Sequence, residues 1–237
     1  MKLGLFYDTE TTGLPLFKEP SEHPAQPHIV QLAALLVDLD TRQTISSMDV
    51  VICPNGWTIP DEVAAVHGIT TEYAEAVGKA TGGEVVINLR PGGSLGFKGP
   101  EQMRAVRDGL VPMADIMALW AGPGRLRIAH NEQFDARILR IALKRFYDKP
   151  DHLLPISDTW KEGIADCTAK LATPICQIPP TAKMLKAGFN KFKTANLSEA
   201  YRHFTGRELE NAHSAIADVM ACRDVYFAIQ DMKGAAA

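Results

Sequence analysis

Three strand-like runs open the chain: LGLFYD, then HIVQLAALLVDLD and TISSMDVVICP, the last two joined by the polar turn DLDTRQ. Short, nearly continuous apolar segments bounded by turn residues are the mark of buried strands. Helix and strand patterns then alternate. IPDEVAAVHG sets a proline near a helix start and Gly68 just past its end, which predicts a short helix closing at His67. GPGRLRIAHN reads as a turn and a strand. The following EQFDARILRIALKRFY carries Phe134, Ile138, Leu139 and Ala142 at helical spacing, with Asn131 as its expected N-cap. ADCTAKLA reads as a weak strand or strand–helix junction, NLSEAYRHF as a helix, and HSAIADVMACRDVYFAIQDM as the final long helix. The order predicts an α/β fold: a central mixed sheet, three antiparallel strands plus parallel strands, flanked by helices.

Two stretches interrupt that order. TGGEVVINLRPGGSLGFKGP, about residues 81–100, reads as a β-hairpin-like insertion, and Glu101 to Trp120 is helical in period with Pro112 splitting it. No internal repeat and no long linker divides the 237 residues, so a single domain carrying an insertion is expected.

Composition excludes several classes. With 46% hydrophobic and 22% charged residues the chain is neither disordered nor fibrous, and a formal charge of -3 is wrong for coating duplex nucleic acid through a basic surface. Cys53, Cys167, Cys176 and Cys222 form no CxxC pair, which argues against a zinc site or a disulfide framework and for reduced thiols in a cytoplasm. MKLGLFYDTE is too short an apolar run for a signal peptide, and no segment approaches the ~20 apolar residues of a membrane span. A cytoplasmic location with no membrane contact is the expectation.

The chemistry lies at the ends of these elements. Residues two apart on a strand share a face, so Asp8 and Glu10 of FYDTETTGLP stand side by side where the first strand finishes. Like charges so close repel, unless one takes a proton or a cation sits between them. Asp135 falls in the first turn of the helix after RLRIAH. Asp218 falls in the first turn of the last helix if Ser214 is its N-cap, which leaves His213 on a loop, free to turn toward the acid. Taken singly, each acid has a structural explanation in helix dipoles or caps. If RLRIAH lies parallel to the first strand, however, Asp8, Glu10 and Asp135 meet at one sheet edge. Oxygen ligands without cysteine select a hard cation, Mg²⁺ or Mn²⁺.

DTETTGL (Asp8 to Leu14), HNEQFDARIL (His130 to Leu139) and HSAIAD (His213 to Asp218) resemble, in order, the three motifs of the DnaQ-like, DEDDh 3′→5′ exonucleases of the RNase H-like superfamily. The likeness spans nearly the whole chain; VHGIT (Val66 to Thr70) and DCTAKLA also resemble segments of that family. The resemblance implies that Asp8, Glu10, Asp135 and Asp218 bind two divalent metal ions, with His213 as general base. It implies hydrolysis of single-stranded DNA or RNA from a 3′ end to nucleoside 5′-monophosphates. Thr9, Thr11, Gly13, Leu14, His67, Asn131 and Phe134 are then the expected substrate contacts. Among these, Leu14 and Phe134 resemble the residues that wedge against the last bases, although core packing also explains Phe134. His130 is expected to be a structural hydrogen-bonder.

KMLKAGFNKFK, Lys183 to Lys193, interleaves four lysines with Phe189 and Phe192, which suits either strand binding or a solvated loop with two anchoring aromatics. The insertion and the long stretch between DCTAKLA and NLSEAY depart from the minimal pattern. The chain stops almost at the end of its last helix, which favours a free-standing nuclease over a subunit tethered to a DNA polymerase. A polymerase or a second copy of the chain remain the candidate protein partners, and a non-catalytic single-strand-binding module is the third reading.

Overall fold

The computed structural model describes residues 2–54, 56–80, 125–146 and 164–235. The expected hairpin at 81–100 and the helical stretch expected from Glu101 to Trp120 lie outside them.

The described strands form one five-stranded sheet in the order β3-β2-β1-β4-β5. β1 (Leu3–Thr11), β2 (Ile29–Asp38) and β3 (Thr44–Val51) are antiparallel neighbours, while β4 (Arg125–Ala129) and β5 (Ala165–Cys167) run parallel to β1. The mixed sheet expected from the sequence is therefore present. β2 lies between two strands and is buried from Ile29 to Val37, which is why its sequence is an apolar run instead of an alternation.

Alternation along β1 sorts the two layers. Leu5 and Tyr7, with Leu32 and Ala34 of β2, pack against α3 (Glu132–Phe146) through Ile138, Leu139 and Ile141. Phe6, with Ala33, Leu35 and Val37, faces α7 (Ala215–Ala235) through Val219, Cys222 and Phe227. The opposite flank of α7 buries Val225 and Ile229 against α4 (Thr168–Cys176) and α6 (Leu197–Thr205), so this helix is apolar on two sides. α1 (Asp61–His67) and α2 (Thr71–Ala80) cover Val30 and Ile59 at the sheet's end.

Several boundaries follow local chemistry. α1 ends where Gly68 adopts φ 75°, a left-handed conformation open to glycine, and its N–H bonds the Ala64 carbonyl at 2.8 Å. Asn196 and Glu199 form a reciprocal capping box at the start of α6. The expected side-chain cap at Asn131 is not formed. Asn131 sits at φ 70°, in the left-handed region, not in the extended backbone of an N-cap, and its carbonyl accepts from Phe134 N at 2.8 Å. Among the described residues no helix is long and apolar enough to cross a membrane.

Candidate metal centre

The acids meet because strands of unequal length leave a gap at one sheet edge. Pairing of β1 with β4 stops at Phe6 opposite Ile128, so among the described residues no strand pairs with the β4-facing edge of β1 beyond Phe6. α3 starts just past β4, and Asp135 in its first turn fills that gap. One oxygen, Oδ1, accepts the Thr9 backbone N–H at 3.0 Å and the Thr9 hydroxyl at 2.8 Å. The carboxylate thus replaces the missing strand partner of β1.

Asp8 and Glu10 share the face of Phe6, the side covered by α7. There the first turn of α7 presents Asp218, whose N–H bonds the Ser214 carbonyl at 2.9 Å as the sequence predicts for a helix entered at Ser214. His213 precedes it at φ 68° and donates its backbone N–H to Asp218 Oδ2 at 3.2 Å. One ligand atom each from Glu10, His213 and Asp218 lie within 4.8 Å of one another. Asp8 adjoins this group closely enough to be repelled by Glu10 and Asp218, and by Asp135 as well.

The electrostatics record the crowding. Burial first, then Asp135, Asp218 and Glu10, push the Asp8 carboxyl well above its ordinary range. Burial and the neighbouring Asp218 raise Glu10 to about 7. Burial raises Asp135 to about 8 against the pull of the two Thr9 bonds, and raises Asp218 to about 6. Among the described residues none of the four is ion-paired to lysine or arginine. Among the described residues Asp218 Oδ1 is shut from solvent with no hydrogen-bond partner. A buried, unsatisfied carboxylate oxygen among converging acids fits a divalent cation: an ion there would satisfy the orphan acceptor and remove the repulsion. Glu10, His213 and Asp218 are grouped closely enough to hold one, with Asp8 near enough to be repelled by Glu10 and Asp218.

The expected substrate residues fall around this edge. Thr9 is buried and occupied in holding Asp135, and the Thr11 hydroxyl donates to the Gly13 carbonyl at 2.7 Å, shaping the turn. Gly13 itself sits at φ 156° with open space where a Cβ would be, so backbone conformation and not close contact calls for glycine. Leu14 is 76% exposed, a surface residue, whereas Phe134 is partly buried against the core beneath α3. His67 ends α1, and its Nδ1 accepts from Ile69 N at 3.1 Å, which places the proton on Nε2. Burial lowers the pKa of the ring against the pull of the Thr11 backbone, and His213 lowers it further, so His67 borders the site.

Other positions matter that the sequence did not single out. Gln31, the cross-strand partner of Glu10, is buried; its Oε1 accepts from Ala215 N at 3.2 Å and its Nε2 donates to Asp49 Oδ1 at 2.7 Å. It ties the start of the helix bearing Asp218 to the sheet beside Glu10. Its signal was a lone polar residue inside an apolar run. His130 is the structural hydrogen-bonder expected: Nε2 donates to the Ala195 carbonyl at 3.0 Å, so Nδ1 accepts from the Thr168 hydroxyl at 2.9 Å. Phe189 and Phe192 are 64% and 47% exposed and so do not anchor their loop in a core, while Lys193 pairs with Glu199 at 2.5 Å.

This architecture, a mixed sheet flanked by helices, is similar in fold to part of exonuclease I. Solved structures of the E. coli enzyme match at low sequence identity. Its complex with a dT13 oligonucleotide gives a TM-score of 0.59 at 20% identity, over 97% of this chain and 41% of that one. Its dA16 complex gives 0.62 at 19% identity, over 99% and 42%, and its zinc-bound single-stranded DNA complex 0.60 at 19%, over 99% and 41%. The chain thus spans about two fifths of the length of the structures it matches. No protein-family model and no curated protein matches the sequence.

Proposed function

We propose that the chain is a metal-dependent 3′→5′ exonuclease of the DnaQ-like, DEDDh type, acting on single-stranded DNA or RNA. The observation that carries this reading is the meeting of Glu10, His213 and Asp218 within 4.8 Å, flanked by Asp8 and Asp135, at the edge of an exonuclease I fold. Asp8, Glu10, Asp135 and Asp218 would hold two divalent ions, Mg²⁺ or Mn²⁺. When bound, such ions supply a hydroxide nucleophile at neutral pH and neutralise charge on the scissile phosphate and the leaving 3′ oxygen.

The chain's own groups perform the rest. Thr9 fixes the direction of the Asp135 carboxylate, and Gln31 fixes α7 so that Asp218 faces Glu10. His213, exposed on its loop, takes the proton of the attacking water on a ring nitrogen and passes it to solvent. Leu14 projects from the turn after β1, where it can press on a terminal base, and His67 borders the same pocket edge. The product expected is a nucleoside 5′-monophosphate.

The test uses 5′-labelled single-stranded DNA and RNA with Mg²⁺ or Mn²⁺, beside an EDTA control and Asp8→Ala. A ladder shortening from the 3′ end that disappears in both controls supports the reading. Intact strands bound by the protein, or internal cuts, overturn it.

A further inference from the structure

Beyond the acid cluster, a cavity of about 500 Å³ opens between α4 and the segment 190–194. Its wall is held in place by hydrogen bonds: Ala195 N donates to the Thr173 hydroxyl oxygen at 3.3 Å, and Lys193 N to the Ile178 carbonyl at 2.9 Å. The lining combines Lys170 and Lys191 with the ring of Phe192 and the amide of Asn190. Among the described residues neither Lys170 nor Lys191 is ion-paired, in contrast to Lys193. Pro174, inside α4, and Thr173 complete the lining with Thr194. Two lysines, an aromatic ring and a side-chain amide are thus gathered around one recess.

We propose that this recess is a nucleotide subsite that holds one upstream nucleotide of the single strand whose 3′ end occupies the acid cluster. The phosphate meets Lys170 and Lys191, the base stacks on Phe192, and the Asn190 amide bonds a polar edge of the base or sugar. The volume suits one nucleotide, within the range of about 300–1,000 Å³ usual for ligand pockets. His130 lies between β4 and α3, the helix that carries Asp135, and bonds both Thr168, the first residue of α4, and Ala195, which follows the wall segment. In the sheet order, β5 stands two strands from β1, about 10 Å at roughly 4.8 Å per strand. A strand rising about 3.4 Å per nucleotide crosses that interval in a few nucleotides.

The inference rests on the single-strand exonuclease reading, and the assay separates the two. Hydrolysis of the p-nitrophenyl ester of thymidine 5′-monophosphate with Mn²⁺ interrogates the acid cluster alone. KM for dT12 interrogates cluster and recess together. In Phe192→Ala and in the double variant Lys170→Ala, Lys191→Ala, KM for dT12 should rise about tenfold while the ester's KM stays within twofold. Anisotropy of labelled dT12 should show the salt slope of binding falling by about 1.4 in the double variant, at about 0.7 per lost phosphate contact. If the wild type hydrolyses neither substrate, the exonuclease reading fails, and this anisotropy measurement still decides the recess. Unchanged dT12 affinity and salt slope in the variants overturn the proposal, as does tight binding of free thymidine 5′-monophosphate that leaves dT12 affinity untouched.

Discussion

Thr9 bonds a single oxygen of Asp135 twice, through its backbone N–H at 3.0 Å and its hydroxyl at 2.8 Å, across 126 positions of sequence. A carboxylate aimed this way presents its other oxygen in a fixed direction. Thr9→Val keeps the shape and the backbone bond but loses the hydroxyl bond. Mn²⁺ affinity or kcat/KM on a labelled oligonucleotide should fall about 10- to 100-fold, the usual cost of losing a partner that orients a metal ligand. Thr9→Ser should retain most of both, and equal loss in the two variants contradicts the role.

Gln31→Leu strands the Ala215 N–H and removes the donor to Asp49, while leaving every acid in place. A buried group left unpaired costs about 1–3 kcal/mol, which a urea midpoint reads directly. Mn²⁺ affinity should drop with it, because Asp218 is no longer held opposite Glu10. Wild-type metal affinity in a destabilised Gln31→Leu would limit this residue to stability.

Glu10 illustrates a trade between function and stability. Its folded pKa rises from 4.5 to about 7, so the folded state keeps the proton longer than the unfolded chain does. The contribution of Glu10 to the stability of the metal-free protein is therefore greatest below pH 4.5 and is lost as pH rises through 7. Glu10→Gln removes the charge. Thermal melts in EDTA at pH 8 should show it more stable than wild type, by about 1 kcal/mol after allowance for solvent screening, although its activity is lost. A lower melting point in EDTA contradicts the electrostatic account.

His28 gives the opposite slope away from the acids. It stacks on Trp57 with ring centroids 4.4 Å apart, and burial, with Arg145 nearby, lowers its pKa to about 4. The unfolded chain takes up this proton near pH 6.5, the folded one only near 4, so acid favours unfolding across that window. Melting temperature should fall more steeply between pH 7 and 4.5 in wild type than in His28→Phe. Parallel curves for the two proteins count against it.

Much of this architecture was readable from residues one element at a time. Gly68 closes α1, Asp135 and Asp218 fall in first turns, and the parallel run of β4 beside β1 sets the site at one edge. Those features are local or follow from strand order. The supports were not readable, because they join distant segments: Gln31 to Ala215 across 184 positions, His130 to Ala195 across 65. Nothing near Thr9 in sequence says that its hydroxyl meets a helix that starts after another strand. Asn131 misled for a related reason: its position suited a cap, but the tight passage from β4 into α3 bends its backbone into the left-handed region.

The most direct measurement is anomalous scattering from a crystal soaked in Mn²⁺. Peaks bounded by oxygens of Asp8, Glu10, Asp135 and Asp218 at about 2.0–2.2 Å are the predicted result. Manganese absent from this edge, with the four carboxylates keeping their crowded positions at neutral pH, contradicts the account.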